Sequence, residues 1–581
     1  MKNVRKYNKL KDLRSMINSV SMSACLEGVT TGSFFHRNTF LILAVLVFIC
    51  MVSRILFIGE YLEGWDSIDF ALGLHDYDIA YYQPHFPGYP VYMFLCWSVH
   101  LFTDSDTLAL TIPGAVLGSA VLAPLFYLAK RMFSEKVALL TALIYIVNPI
   151  CWLQSEKALS DAVGLFFIIL SAQMLFYAST SSTYTLRYLI SGSVLLGLCL
   201  GVRLSYFPFI ILWLYVLCTL SKSNKGKITI LCGLFAFIAG LSVWLIPLAC
   251  YTGFKPLMIN GFSFAFGHFG DWGGSVVTSQ NIVSRFLDFM WCVFCNGLGF
   301  WCYDTSLFRV LPSIIMGLGI LFYLKNARLD VKTRFITFYI APYLIWVFFG
   351  QNLEKPRHVL PLIPVIVICI SAGLTGLRDS KYAYSGLRFS KHKYLSQYHL
   401  FIGILIVSIS IISIRLVYIH KNEPVAQIQL LNYVVNNYNV AATRIYCWET
   451  KRLFRYYAPL WDARRVRNIY DLQYDEEASL VVPEVILSTS KVNGVNSIAN
   501  NSKVVAEFNN NRYINNPYHE LTLYELSMPV LDETAARDAP VSSSRSASGG
   551  NQTGGVKLQI SNHRLQTNYK FRNSLAFEKF Q

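Results

Sequence analysis

Long apolar runs separated by short basic loops make up most of this chain. A membrane-spanning helix needs about 20 mostly apolar residues. Runs of that kind occur at roughly 38–58, 107–130, 136–152, 158–178, 187–203, 205–220, 228–250, 306–324, 333–350, 358–378 and 398–418. Two further apolar stretches, 88–102 and 285–302, fit either a span or a segment lying along the membrane.

Loop charge separates these alternatives. If both stretches are interfacial, the basic head, Lys130/Arg131/Lys136, Arg187, Lys222/Lys225/Lys227, Lys325/Arg328/Lys332/Arg334 and the stretch from Arg378 to Lys393 share one side. If both are spans, the loops from Lys130 to Lys227 flip outward. The positive-inside rule favours the first arrangement. The expectation is therefore about 11 spans, with the N-terminus inside and the C-terminus outside, and 13 spans as the alternative.

After the last run the pattern changes. Val425, Ile428, Leu431 and Val434 recur at helical spacing, and segments 444–448, 485–487, 504–508 and 521–524 read as short strands. From about 530 onward Ser, Arg, Gly and Asn dominate, a composition too poor in apolar residues to build a core. The expected organisation is a basic cytoplasmic head at 1–37 and a transmembrane domain at 38–420, which carries an acidic outer loop at 59–106. An outer α/β domain at 421–528 and a disordered tail at 529–581 follow. The fold class is an α-helical polytopic membrane protein with about 11–13 spans and a small C-terminal extracytoplasmic α/β domain.

Composition agrees with this reading. Hydrophobic residues make up 54% of the chain and charged residues 14%, against roughly 25% charged in a soluble domain. The net charge of +16 sits mostly in loops and tails, where it orients the chain, so nucleic acid is not an expected partner. Most of the 13 cysteines lie inside apolar runs, where a thiol packs as a small hydrophobe. Cys292 and Cys295 form a C-x-x-C among Trp, Phe and Val without a second pair, which argues for packing rather than zinc.

The chemistry concentrates in the outer loops. The loop after the first span reads Gly64-Trp65-Asp66-Ser67-Ile68-Asp69-Phe70 and continues to Gln83-Pro84-His85-Phe86-Pro87-Gly88-Tyr89-Pro90. Carboxylates and a histidine are costly to keep at a membrane boundary unless they have a role. On a helix, Asp66 and Asp69 would share one face, or one of them would cap it. The same side collects Lys157, Asp161, Arg203, His268, Asp271, Lys355 and Arg357 from distant segments, which suggests a shared cavity. The loop Phe264–Gly274 is aromatic and glycine-rich, suited to stacking on a sugar or to lying in the interface. His and Asp are at hand for a divalent metal, but no ligand spacing supports one, and no cofactor is expected.

The order of these pieces resembles the GT-C glycosyltransferases, in particular family 39-like enzymes such as the protein O-mannosyltransferases and the lipid A aminoarabinose transferases. The resemblance covers roughly residues 38–378. It rests on the acidic loop, the Pro-rich turn before an amphipathic helix, and the Lys130-Arg131-Met132-Phe133 corner. Asn148-Pro149, Ala158-Leu159-Ser160-Asp161, Gly201-Val202-Arg203 and Arg357-His358-Val359-Leu360-Pro361 complete it.

The resemblance implies transfer of a monosaccharide from a polyprenyl-phosphate donor to a lipid, glycan or protein acceptor. Transfer would take place at the outer face of the membrane, the periplasmic face of a bacterial inner membrane, with inversion. Asp66 or Asp69 would be the general base. Arg203, Lys157, Lys355 and Arg357 would serve the donor phosphate, with His85, Asp161 and His268 as further substrate contacts. The chain departs from lipid A-type relatives where Pro84-His85-Phe86-Pro87 replaces a lysine-bearing stretch, so His85 would substitute. Competing readings are a transporter or flippase for a lipid-linked or polar substrate, and an O-antigen ligase- or polymerase-like enzyme.

The topology has a direct test. Single cysteines introduced near Asp66 or Lys355 are expected to react with an impermeant thiol reagent from outside. Cysteines at Lys130 and Lys225 should react only after permeabilisation, and outside labelling at Lys225 would overturn the 11-span arrangement.

Overall fold

A computed structural model of the chain describes residues 32–526, apart from 182, 223–225, 279–280, 301–306, 385–390, 469–470, 472–482, 496–501 and 516–517. Most of the basic head and all of the tail at 529–581 lie outside the described residues.

The chain is an integral, multi-pass membrane protein. Among the described residues, eight helices are long and apolar enough to cross a bilayer: Thr39–Leu56, Asp106–Met132, Asp161–Thr180, Thr185–Val202, Gly226–Thr252, Val331–Gly350, Pro356–Leu377 and Tyr398–Asn437. A ninth crossing is the pair Glu135–Val147 and Pro149–Glu156, bent by 55°. The bend falls at Pro149, which cannot donate to the preceding turn. Asn148 restarts the helix by accepting from the Cys151 N–H at 3.1 Å. Phe209–Leu220 and Val310–Asn326 are apolar but shorter. Together these segments coincide with the eleven expected runs.

The two ambiguous stretches are too short to span. The first holds the helix Pro90–His100, 11 residues or about 17 Å long. The second holds the helix Ile282–Met290 and a π-turn at Trp291–Gly297.

With lipid outside the bundle, burial of apolar surface does little to hold helices together, and close backbone packing matters more. Thr185–Val202 and Gly226–Thr252 cross on glycine. A Cβ on Gly197 would sit 2.7 Å from the Leu241 nitrogen, and one on Gly240 would sit 2.4 Å from the Val194 carbonyl oxygen. The Trp244 indole N–H donates to the Gly197 carbonyl at 2.9 Å across this crossing. Elsewhere aromatic rings interlock, as where Phe209 stacks on Tyr343 at 4.8 Å and 15°.

The C-terminal domain has the expected helix, Ala426–Asn437, and a five-stranded sheet. Its strands are β1 (Thr443–Cys447), β2 (Asp462–Arg465), β3 (Val485–Thr489), β4 (Ser502–Asn509) and β5 (Glu520–Leu526). The order is β2-β1-β3-β5-β4. β1 pairs in parallel with β2 and β3, whereas β5 is antiparallel to both β3 and β4. The sequence pattern misses β2 and the short helix Lys451–Tyr457. β2 is a half-exposed edge strand of Asp-Ala-Arg-Arg and carries no apolar alternation. The missed helix packs against Trp65–His75 in the acidic loop, and the Tyr457 hydroxyl accepts from the Leu62 N–H at 2.8 Å. The sheet domain is thereby seated on the acidic loop.

The glycine crossing predicts a stability loss without a chemical one. Gly197→Leu should force Thr185–Val202 and Gly226–Thr252 apart and destabilise the protein by about 1–3 kcal/mol or more, the scale of overpacking. Thermal unfolding in detergent micelles measures this, and an unchanged midpoint would contradict the close approach.

Candidate active site

The acidic loop folds around the helix Trp65–His75. Neither aspartate caps it. Gly64 is the N-cap residue, and the Ser67 hydroxyl accepts from the Gly64 N–H at 3.1 Å and donates to its carbonyl at 2.8 Å. This leaves both carboxylates for other contacts, and their surroundings differ.

Asp66 forms a close ion pair with Arg357, which lies 291 positions away in the chain. Its side chain keeps 20% exposure and lies where two adjoining cavities meet. One cavity holds about 570 Å³ and the other about 120 Å³, and Trp65, Asp66, Lys355, Arg357 and Glu449 line both. Burial alone would raise the Asp66 pKa, but Arg357, with His85 and Lys355, holds it well below the ordinary carboxylate range. Asp66 is therefore ionised throughout the physiological range.

Asp69, one turn on, is fully buried and lines neither cavity. His85 Nδ1 contacts it at 3.2 Å and Arg452 Nε at 3.1 Å. Burial raises its carboxyl to about 6 against the pull of these two partners. His85 Nε2 meets the Tyr89 hydroxyl at 2.9 Å, and the ring stacks on Phe264 at 5.7 Å. Arg452, from the sheet domain, lies 4.6 Å over the Trp65 ring. Asp69 thus anchors His85, which lines the larger cavity, and Arg452 from the sheet domain. The turn between Asp69 and Tyr89 needs Gly88, which has φ of +85° and would bring a Cβ within 2.3 Å of the Tyr77 hydroxyl.

The larger cavity is aromatic and cationic. Phe86, Tyr89, Phe207, Phe264, Phe269 and Trp346 line it, together with His85, Arg203, His268, Lys355, Arg357, His358 and Arg465. Arg203 is the C-cap residue of Thr185–Val202. Its Nη1 donates to the buried Asp161 carboxylate at 3.0 Å and to the Ser160 hydroxyl at 3.2 Å. Asp161 lines neither cavity, so it fixes Arg203 rather than facing a ligand. His268 donates to the Gly350 carbonyl at 2.7 Å, and burial lowers its pKa, aided by Lys355.

Lys157 lies apart from Arg203. It lines the smaller cavity and bonds the Glu63 carboxylate and the Ile514 carbonyl, both at 2.8 Å. Glu63 also meets His420 at 2.5 Å.

Sequence reasoning missed the contribution of the sheet domain. Trp448, Glu449 and Arg465 line the larger cavity, and Arg465 lies 4.0 Å over the Trp448 ring and 4.7 Å over the Trp65 ring. The available signal was Trp448 close to the basic run Lys451-Arg452. Among the described residues, no trio of His, Cys, Asp or Glu with metal-ligand spacing lines either cavity.

Comparison with known proteins supports the expected resemblance. Residues 84–246 match the family described as dolichyl-phosphate-mannose-protein mannosyltransferase. The structure resembles ArnT from Cupriavidus metallidurans in the apo state, with a TM-score of 0.50 and 10% identity, covering 84% of this chain and 98% of that one. The same protein bound to undecaprenyl phosphate scores 0.49 at 10% identity, with the same coverage. The archaeal oligosaccharyltransferase AglB from Archaeoglobus fulgidus scores 0.47 at 11% identity, covering 78% of this chain and 70% of that one. No curated protein matches the chain in sequence. The chain has the GT-C fold, as expected from the order of its motifs.

Asp69 generates a pH prediction. Its folded pKa of about 6 lies above the ordinary value of about 3.9. The fold therefore loses stability as pH rises through 6, while the ion pair with Arg452 exists only above it. Activity that needs this pair should show an acid limb centred near pH 6, and Asp69→Asn should remove the limb, leaving a lower and flatter profile. A limb that persists unchanged in the variant would show that Asp69 does not set it.

Proposed function

We propose that this protein transfers a monosaccharide from a polyprenyl-phosphate donor to an acceptor hydroxyl at the outer face of the membrane, with inversion at the anomeric carbon. The observation that carries this reading is Asp66, an ionised carboxylate at the junction of two cavities, one of them lined by aromatic rings and cations. The match at residues 84–246 to a family described by a dolichyl-phosphate-linked sugar donor supports the donor class.

In this reading the donor occupies the larger cavity and the acceptor reaches Asp66 from the smaller one. The acceptor oxygen bonds to the anomeric carbon as the bond to the lipid phosphate breaks. The proton passes to Asp66, and the electron pair leaves on the phosphate oxygen. A base on the acceptor side is what an inverting displacement requires. Charge develops on the departing phosphate, and Arg203, with Lys355 and Arg357, offers fixed cations to receive it. An arginine held by Asp161 and Ser160 is already oriented, so little freedom is lost on binding. Arg357 keeps Asp66 ionised and aimed. His85, His268 and the aromatic wall position the sugar. Lys157, paired with Glu63, shapes the acceptor side. Asp69 is a positioning residue that holds His85 and Arg452. In a bacterial inner membrane the reaction would face the periplasm.

The test uses the purified full chain with a polyprenyl-phosphate-linked sugar, following release of polyprenyl phosphate and formation of glycosylated product. Asp66→Asn keeps the side-chain volume but removes the proton acceptor, and transfer should fall by about 10²–10⁴-fold, the range for a positioned base. Arg203→Ala should weaken donor use by about 1.5–3 kcal/mol, the range for a charge-assisted hydrogen bond. If Asp66→Asn transfers sugar normally, Asp66 is not the base and the proposed mechanism fails, whereas a folded wild-type chain that transfers no sugar from such a donor would favour the transporter reading.

A further inference from the structure

At the far end of the Trp65–His75 helix, away from Asp66, three side chains converge that the proposed reaction does not use. His75 is the last residue of that helix, His100 the last of Pro90–His100, and Asp106 the first of Asp106–Ala120. His75 Nε2 lies 3.0 Å from each Asp106 carboxylate oxygen, and His100 Nε2 lies 3.1 Å from Oδ1. The three ligand atoms all fall within 4.8 Å of one another.

We propose that His75, His100 and Asp106 form a zinc site. Two imidazoles and a carboxylate are a donor set that zinc favours, and three protein ligands with an open fourth position match its tetrahedral habit. Bonds of about 2.0–2.1 Å would place the ligand atoms roughly 3.3 Å apart, close to the 3.0 and 3.1 Å between each imidazole and the carboxylate. The metal takes the place of the two Nε2 protons that otherwise point at the carboxylate. Hard cations such as magnesium, which favour oxygen ligands, are poorly matched to it.

The surroundings hold the ligands in place by independent bonds. The Trp97 indole N–H donates to the Leu74 carbonyl at 3.1 Å, tying together the two helix ends that carry the histidines. Ser105 caps the helix that Asp106 begins. The Tyr456 hydroxyl, from the sheet domain, donates to Asp106 Oδ2 at 2.5 Å. Outer-shell partners of this kind orient a ligand and tune its affinity. Through Tyr456 the metal would fasten the sheet domain to the helix that carries Asp66. The site is solvent-accessible, because the His75 side chain is 58% exposed.

The experiment takes the purified full chain in detergent micelles, stripped with a chelator, and adds zinc alone. One zinc per chain is expected to bind and to raise the thermal unfolding midpoint, while magnesium does neither. Cobalt in its place should give the visible absorption of a tetrahedral nitrogen and oxygen site. His75→Ala alters an exposed side chain, so the metal-free variant should unfold at the wild-type midpoint yet bind no zinc at this site. His100→Ala should likewise lose the metal. Tyr456→Phe should still bind one zinc, with affinity roughly 10–100-fold weaker. A wild-type chain that takes up no zinc, or histidine variants that bind it as tightly as wild type, would overturn the proposal. Sugar transfer is not part of the readout, so this test stands whether or not the proposed reaction does.

Discussion

A charge at the edge of a hydrocarbon slab must be paired, neutralised or exposed to water, because an isolated buried ion is too costly to keep. Four carboxylates around the cavities obey this constraint. Asp66 takes Arg357, Asp69 takes Arg452 and His85, Asp161 takes Arg203, and Glu63 takes Lys157 and His420. Apart from Asp69 with His85, each pair joins segments far apart in the chain, so satisfying the charges also assembles the site. Deeper in the first span, Arg54 follows the same rule. It is buried, donates to the Ile146 carbonyl at 2.6 Å and lies 4.6 Å over the Trp152 ring.

This pairing gives two carboxylates one turn apart opposite properties. Asp66 faces a cavity beside strong cations and stays ionised. Asp69 is withdrawn from both cavities, and burial outweighs its partners and lifts its pKa to about 6. The first environment suits a group that meets substrate, and the second suits one that holds other groups in place. The division follows from depth and partner, since Asp66 meets Arg357 where the cavities join and Asp69, one turn on, is buried against Arg452 and His85.

The sheet domain completes the site instead of decorating it. Its helix Lys451–Tyr457 supplies Arg452 to Asp69, Tyr456 to Asp106 and Tyr457 to Leu62. Arg455 reaches the Gln83 side chain in the acidic loop. Through these contacts one seven-residue helix reads out the conformation of the whole acidic loop. Movement of the domain would change the carboxylate environment and the cavity wall together, because it carries both Arg452, which meets Asp69, and Trp448, Glu449 and Arg465, which line the larger cavity.

The amino-acid pattern by itself determined the spans, since a hydrocarbon layer demands runs of a fixed length and tolerates few charges inside them. It also separated the C-terminal sheet domain and most of its strands, and it singled out the polar residues at span ends, where a charge is conspicuous. It could not assign partners. Asp66 and Asp69 look alike in sequence, and only their tertiary partners distinguish them, Arg357 for the first and Arg452 with His85 for the second. β2 and Lys451–Tyr457 stayed hidden because their role lies in charged edges and not in apolar periodicity. His75, His100 and Asp106 have no recognisable ligand spacing along the chain, since three helix ends bring them together. Periodicity and composition are local properties of a chain, whereas charge pairing and ligand geometry are set by which surfaces the tertiary fold presses together.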